Sequence, residues 1–315
     1  MKLKLIIVLF FLCSNALLGA APAGLPENGV LILAHGHKED WNRRIEELTA
    51  RLPFPTVVAF GMAHKNAIAE GVSSLEDRGV RSIVVIPLYV SSYSPIIRAS
   101  AYLLGLRQQA PPELEMFNTM SHGLQDPNAG HAADQPADLS PIRSHVPIYM
   151  TSALDDHPLV AEILLDRARS ISERAGGETV ILVAHGPNGD ADNRLCLEKM
   201  DRLADFIRNH GGFHRVEAVT MRDDAPPAVR NQATAQLRSR VAAAARTGTA
   251  LVVPVLLARG GVEDRLEESL QGLRYRIPDQ FLLPDPRIAQ WIREQVDASA
   301  RGQATYQSSR VRDPY

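Results

Sequence analysis

The chain has 315 residues, enough for two ordinary hydrophobic cores. Its 45% hydrophobic and 22% charged residues read as a soluble globular protein. A formal net charge of −2 gives no general electrostatic grip on nucleic acid.

The N-terminus predicts an export signal over residues 1–23. Lys2 and Lys4 form a basic start, residues 5–12 are apolar but too few to span a membrane, and Ala16, Gly19, Ala20, Ala21 and Ala23 suit cleavage. Cleavage removes Cys13 and leaves Cys196 alone, so the processed chain has no internal disulfide and no transmembrane segment. Export without disulfides points to a periplasmic protein, or a secreted one.

The first predicted strand, 29–34, stops at His35–Gly36. A helix over 40–52 follows, with Trp41, Ile45, Leu48 and Leu52 near one face. Residues 56–60 form a second strand with His64 just beyond it, and 66–78 a helix ended by Gly79. Residues 82–86 are nearly all apolar with little alternation, as in a parallel strand covered on both faces. A hydroxyl-rich loop carries Tyr89, Ser91, Ser92 and Tyr93. Then come a helix over 96–106, a short strand over 114–117, and an insert over 121–140 with no apolar period. A strand over 147–150 and a helix over 158–173 close the half, and Gly176–Gly177 form the joint.

The second half repeats this order. Strands are expected over 180–184, 216–219, 250–255 and 281–283. Helices are expected over 192–208, 227–247, through Leu266 and Leu270, and over 286–296. Four features recur in sequence: His35–Gly36 and His185–Gly186, Asn42–Arg43 and Asn193–Arg194, Pro87–Leu88 and Pro254–Val255, and an acid and proline opening the last helix at Asp156–His157–Pro158 and Asp285–Pro286. Parallel strands need crossover helices, and those crossovers are right-handed. The fold class is therefore α/β: two similar doubly wound parallel-sheet domains of flavodoxin-like topology, 29–175 and 179–297, in a monomer with pseudo-symmetric halves and a flexible 301–315 tail.

Ligands in such folds sit at the carboxyl ends of the strands, where His35 and His185 lie. Neutral imidazole is a good ligand for Co, Ni, Fe and Zn, and it also accepts protons near neutral pH. His64 either joins His35 at that edge or is an exposed loop histidine. Asp223 and Asp224 occupy the position corresponding to His64, and Glu263 and Asp264 follow a glycine-bearing loop; these acids either bind metal and protons or cap helices. Arg43, Arg98, Arg194, Arg259 and Arg265 suit an anionic substrate, or are solvated surface groups. There is no Gly-x-x-x-x-Gly-Lys-Ser/Thr loop, no Gly-x-Gly-x-x-Gly after a first strand, no His-Glu-x-x-His and no Gly-x-Ser-x-Gly. Neither ATP nor NAD is expected.

Taken together, residues 31–36, the 69–71 helix region, residues 86–90, Asp156–His157–Pro158, residues 182–186, residues 253–257 and Asp285–Pro286 resemble the class II chelatases, in the two-repeat form of the sirohydrochlorin cobaltochelatase family. The resemblance covers about residues 29–297. It implies ATP-independent insertion of a divalent metal, Co2+ first with Ni2+ and Fe2+ as alternatives, into sirohydrochlorin or a related tetrapyrrole. It carries the roles of catalytic group and metal ligand to His35 and, by repeat, to His185. The family's second histidine follows the third strand; Pro95 and Val262 stand at the nearest positions here. His64, Glu263 or the Tyr93 hydroxyl would have to compensate, His64 and Glu263 as metal ligands. Arg43, Arg194 and Arg259, with Tyr89, Ser91, Ser92 and Tyr93, would bind the macrocycle. The alternative is a non-catalytic periplasmic carrier of metal or tetrapyrrole on the same scaffold.

Overall fold

The computed structural model describes residues 28–36, 38–117 and 138–303. The predicted export signal, most of the 121–140 insert and nearly all of the 301–315 tail lie outside the described residues.

The first half runs β1 (Asn28–Ala34), α1 (Glu39–Thr49), β2 (Thr56–Phe60), α2 (Lys65–Asp77), β3 (Ser82–Pro87), α3 (Pro95–Leu103), β4 (Ile148–Met150) and α4 (Pro158–Ser170). After a 3-10 turn at Ala175–Gly177 come β5 (Glu178–Ala184), α5 (Asp190–Gly211), β6 (Arg215–Thr220), α6 (Pro227–Thr247), β7 (Thr249–Pro254), α7 (Val262–Ser269) and α8 (Pro286–Ala300). The first sheet has the order β2-β1-β3-β4 and the second β6-β5-β7, with every pair parallel. First strands thus lie between their neighbours, and Ala34 and Ala184 stand opposite Phe60 and Thr220.

Both first strands alternate between two cores, because successive side chains leave a strand on opposite faces. Val30, Ile32 and Ala34 join Val180, Leu182 and Ala184 in one core shared by the two sheets. Leu31 and Leu33 pack into a separate core with α2 and α3, and Ile181 and Val183 into another with Leu237 and Val241 of α6 and Leu266 of α7.

The closing helices are exchanged between halves. Helix α4 packs on α5 and β7 of the second half, and α8 packs on β3 and α1 of the first. Trp291 and Ile292 of α8 and Ile163 and Leu164 of α4 are fully buried in the shared core. Each closing helix begins with proline after a capping side chain: His157 Nδ1 accepts from Leu159 N at 3.3 Å, and Asp285 Oδ1 accepts from Arg287 N at 3.0 Å. Arg287 spans the exchange by donating to Asp166 of α4 at 2.7 Å and to Asp285 at 2.9 Å.

Two predicted strands are corrected. Residues 114–117 are helical, with Phe117 N donating to Glu113 O at 3.1 Å; a four-residue apolar run carries no distinguishing period. Residues 281–283 form no strand. The corresponding edge of the second sheet is taken by a single bridge between Leu251 and Arg276. Leu282 and Leu283 instead donate to Leu256 O at 3.0 Å and Leu257 O at 2.7 Å, beyond the end of β7.

Candidate metal centre

β5 is buried along its whole length, which fixes the direction in which His185 leaves the sheet. Gly186 then turns the chain with φ +78°, a left-handed conformation that favours glycine. His185 Nδ1–H donates to Gly186 O at 3.1 Å, and this bond points Nε2 the other way. Nε2 meets Asp224 Oδ2 at 3.0 Å and Asp223 Oδ1 at 3.1 Å. The two carboxylates come from the turn after β6, the strand paired beside β5.

One ligand atom from each of His185, Asp223 and Asp224 lies within 4.8 Å of the others, and this is the group of three metal-ligating residues found among the described residues. Asp223 Oδ1 is buried and has no hydrogen-bond partner among the described residues. Its neighbour Nε2 gives its one hydrogen to Asp224, while Asp223 Oδ2 is held by Arg265 of α7. An orphaned carboxylate oxygen beside an imidazole nitrogen and a second carboxylate is a donor set for a divalent cation.

Burial alone would depress the His185 imidazole, but the Asp224 hydrogen bond and the charges of Asp223 and Asp224 hold it above its ordinary value. Asp224 is lowered, first by that hydrogen bond and then, against burial, by the charges of His185, Arg265 and His35. The last contribution brings His35, from the opposite half, within electrostatic reach of Asp224.

The first-half corner copies the backbone but not the acids. His35 is exposed, and its Nδ1 donates to Gly36 O at 2.9 Å. Counting from the Phe60–Thr220 register, Ala63 and His64 replace Asp223 and Asp224. His64 is buried as the cap of α2, its Nδ1 accepting from Ala67 N at 3.4 Å, and is not brought together with His35 in a three-ligand group. Glu263 is also buried and outside the cluster. Its Oε2 accepts from Gly260 N and Gly261 N, each at 3.0 Å, and closes the glycine loop.

The hydroxyl loop is tied into the fold. Tyr89 is buried and donates to Gly61 O at 3.2 Å; burial pushes its phenol up. Ser91 Oγ accepts from Tyr93 N at 3.2 Å. Ser92 donates to Asp155 through N at 2.8 Å and Oγ at 2.6 Å, and its Oγ accepts from Ala153 N. The Tyr93 phenol is raised by burial and by Asp155, against the charges of Lys199 and Arg202 from the second half. Arg43 is exposed and pairs with Asp40 at 2.6 Å within α1, and Arg194 is exposed 3.9 Å from Glu198 within α5. Arg259 lies over the Phe281 ring at 5.2 Å and 3.7 Å from Glu267. Arg98 forks onto Asp192 at 2.9 and 3.1 Å and reaches Glu113 at 3.1 Å, so it joins the halves.

No protein-family model and no curated protein matches the sequence. Solved structures do match. SirB from Bacillus subtilis with Fe3+ superposes with a TM-score of 0.58 at 15% identity, over 89% of this chain and 100% of that one. The sirohydrochlorin chelatase SirB from Bacillus subtilis subspecies spizizenii, in complex with cobalt, gives 0.56 at 15% identity over 89% and 100%. CbiX, described as the terminal enzyme for biosynthesis of siroheme in denitrifying bacteria, gives 0.51 at 15% identity over 86% and 99%. The chain thus has a chelatase-like fold over most of its length. The second half of that fold, in this chain, carries the His-Asp-Asp cluster.

Proposed function

We propose that this protein takes up a divalent metal ion at His185, Asp223 and Asp224 and inserts it, without ATP, into a tetrapyrrole lying between the two His-Gly corners. The observation that carries the reading is the orphaned Asp223 oxygen beside His185 Nε2. One imidazole and two carboxylates suit Co2+, Fe2+ or Ni2+ without a strong preference. The likeness to chelatase structures, one of them holding cobalt, supports Co2+ and sirohydrochlorin as the first pair to test.

Insertion requires the metal to shed water and two pyrrole N–H protons to leave. His185 releases its own proton when Nε2 takes the metal. Exposed His35 accepts one of the two ring protons, and His185 Nε2 takes the other as the metal leaves it for the ring. Exposed Arg43 and Arg194 supply charge for peripheral carboxylates. The basic and apolar leader over residues 1–23 supports action after export, in the periplasm.

A carrier reading is favoured by one observation: Pro95 and Val262, which open α3 and α7 at the positions nearest the resembled family's second histidine, cannot ligate metal. An anaerobic assay with purified processed chain, Co2+ and sirohydrochlorin separates the two. Accelerated insertion is expected, abolished in His185→Ala with loss of Co2+ binding and slowed in His35→Ala with Co2+ binding kept. Saturable tetrapyrrole binding without acceleration replaces the enzyme by the carrier; absence of Co2+ binding removes the metal site from both.

A further inference from the structure

The segments that carry the three acidic and imidazole ligands are held together from a single residue, Arg222. Its backbone has φ +52°, a left-handed conformation costly for any residue with a side chain. Its backbone N donates to His185 O at 2.7 Å. Its guanidinium crosses to the loop after His185, where Nε donates to Pro187 O at 3.1 Å and Nη2 donates to Asn188 O and, at 2.8 Å, to Asp190 Oδ1. Asn188 returns a bond in the opposite sense, its Nδ2 donating to Asp224 O at 3.2 Å. The Arg222 side chain is only 12% exposed, while its partner Asp190 stands in solvent.

The first half lacks this clamp. The register that places Thr220 with Phe60 places Arg222 with Met62, whose side chain has no donor to offer. The half that carries the His-Asp-Asp cluster is thus the half in which the two loops are cross-tied. A lysine would not substitute fully, because two carbonyls and a carboxylate are met by one rigid planar fork.

We propose that Arg222 is the positioning residue of the metal centre: by clamping residues 187–190 to the turn bearing Asp223 and Asp224, it sets the separation of His185 Nε2 from both carboxylates. This deepens the metal-binding reading above and rests on it. Arg222 touches neither metal nor macrocycle; it acts through the ligands.

The test is a Co2+ titration of the full processed chain, followed by calorimetry and by the visible absorption of bound Co2+. Arg222→Gly is the informative variant, since glycine accepts the left-handed backbone while the whole clamping side chain is lost. Losing a supporting partner of a metal ligand weakens affinity by about 10–100-fold. That loss is expected in Arg222→Gly, with an altered Co2+ spectrum at saturation and an unchanged far-ultraviolet circular dichroism spectrum. Arg222→Lys should recover part of the affinity. If Arg222→Gly lowers the unfolding midpoint but binds Co2+ with wild-type affinity and spectrum, Arg222 is a fold strap and the proposal is overturned. His185→Ala run beside it isolates the underlying reading: Co2+ binding that survives His185→Ala, or that is missing in the wild type, overturns the metal centre and its positioning residue together.

Discussion

Gly186→Ala and Gly36→Ala make the same change at two corresponding corners, and the structure assigns them different costs. Both glycines are left-handed, at φ +78° and +73°, so each alanine incurs the backbone penalty of about 1–2 kcal/mol. At Gly36 the added methyl meets the Phe60 Cβ at 3.2 Å, a contact that a small shift relieves. At Gly186 it would lie 2.4 Å from Thr220 Cβ, 2.8 Å from Thr220 Cγ2 and 3.0 Å from Asn193 Oδ1. Thr220 cannot turn away without breaking its 2.8 Å bond to Asn193, and both residues are buried. Overpacking of this kind adds about 1–3 kcal/mol. Gly186→Ala should therefore lose about 2–5 kcal/mol and Gly36→Ala about 1–2 kcal/mol. Urea unfolding followed by tryptophan fluorescence measures both, because Trp41 and Trp291 sit in the shared core. Equal losses, or a larger loss at Gly36, would refute the assignment of the tighter corner to the second half.

Co2+ affinity should rise about tenfold per pH unit up to the raised value of His185 and flatten above it, since the imidazolium must lose its proton to bind; a plateau reached below the ordinary histidine range would count against the Asp223–Asp224 pairing. Asp285 is pushed up by burial but held below its ordinary value overall by the hydrogen bonds and charge of Arg287 and by Arg167. Its contribution is complete above the unfolded carboxylate value and fades as pH falls through the folded one. Asp285→Asn should cost about 3–5 kcal/mol at neutral pH, and unfolding midpoints recorded from pH 6 downward should converge with wild type in acid. Trp291→Ala should cost about 3–5 kcal/mol and destabilise the first sheet as much as the second, read by amide hydrogen exchange in β1 and β5.

Much of this architecture was legible in the amino-acid order. The apolar runs of β1 and β5, each stopping at His-Gly, specify covered parallel strands, and the duplicated order specifies two sheets. The 227–247 helix and the 56–60 strand fall where their patterns place them. The exchange of α4 and α8 was not legible, because an amphipathic stripe states that a helix is covered and not which sheet covers it. In the site, His185 is marked by its strand end. Asp223 and Asp224 were visible as acids after a second strand, but their choice between capping a helix and facing His185 depends on the register between β5 and β6. His64 and Glu263 went the other way: one caps α2 and the other closes the Gly260–Gly261 loop, roles set by one local backbone N–H group for His64 and two for Glu263. Arg222 carries no motif; only its positive φ and its reach across to Pro187 and Asn188 disclose it.

The exchanged helices also decide how anything could get in and out. Swinging the halves apart about Ala175–Gly177 would pull Ile288, Trp291 and Ile292 off the first half, and Ile163 and Leu164 off the second. At about 1.5–3 kcal/mol for each large apolar side chain exposed, five such residues approach or exceed the whole stability of a typical domain. The two halves therefore do not work as a pair of jaws. Any ligand that reached the two histidines would then depend on side-chain and loop-tip motions, on nanoseconds to microseconds, with no domain closure to wait for.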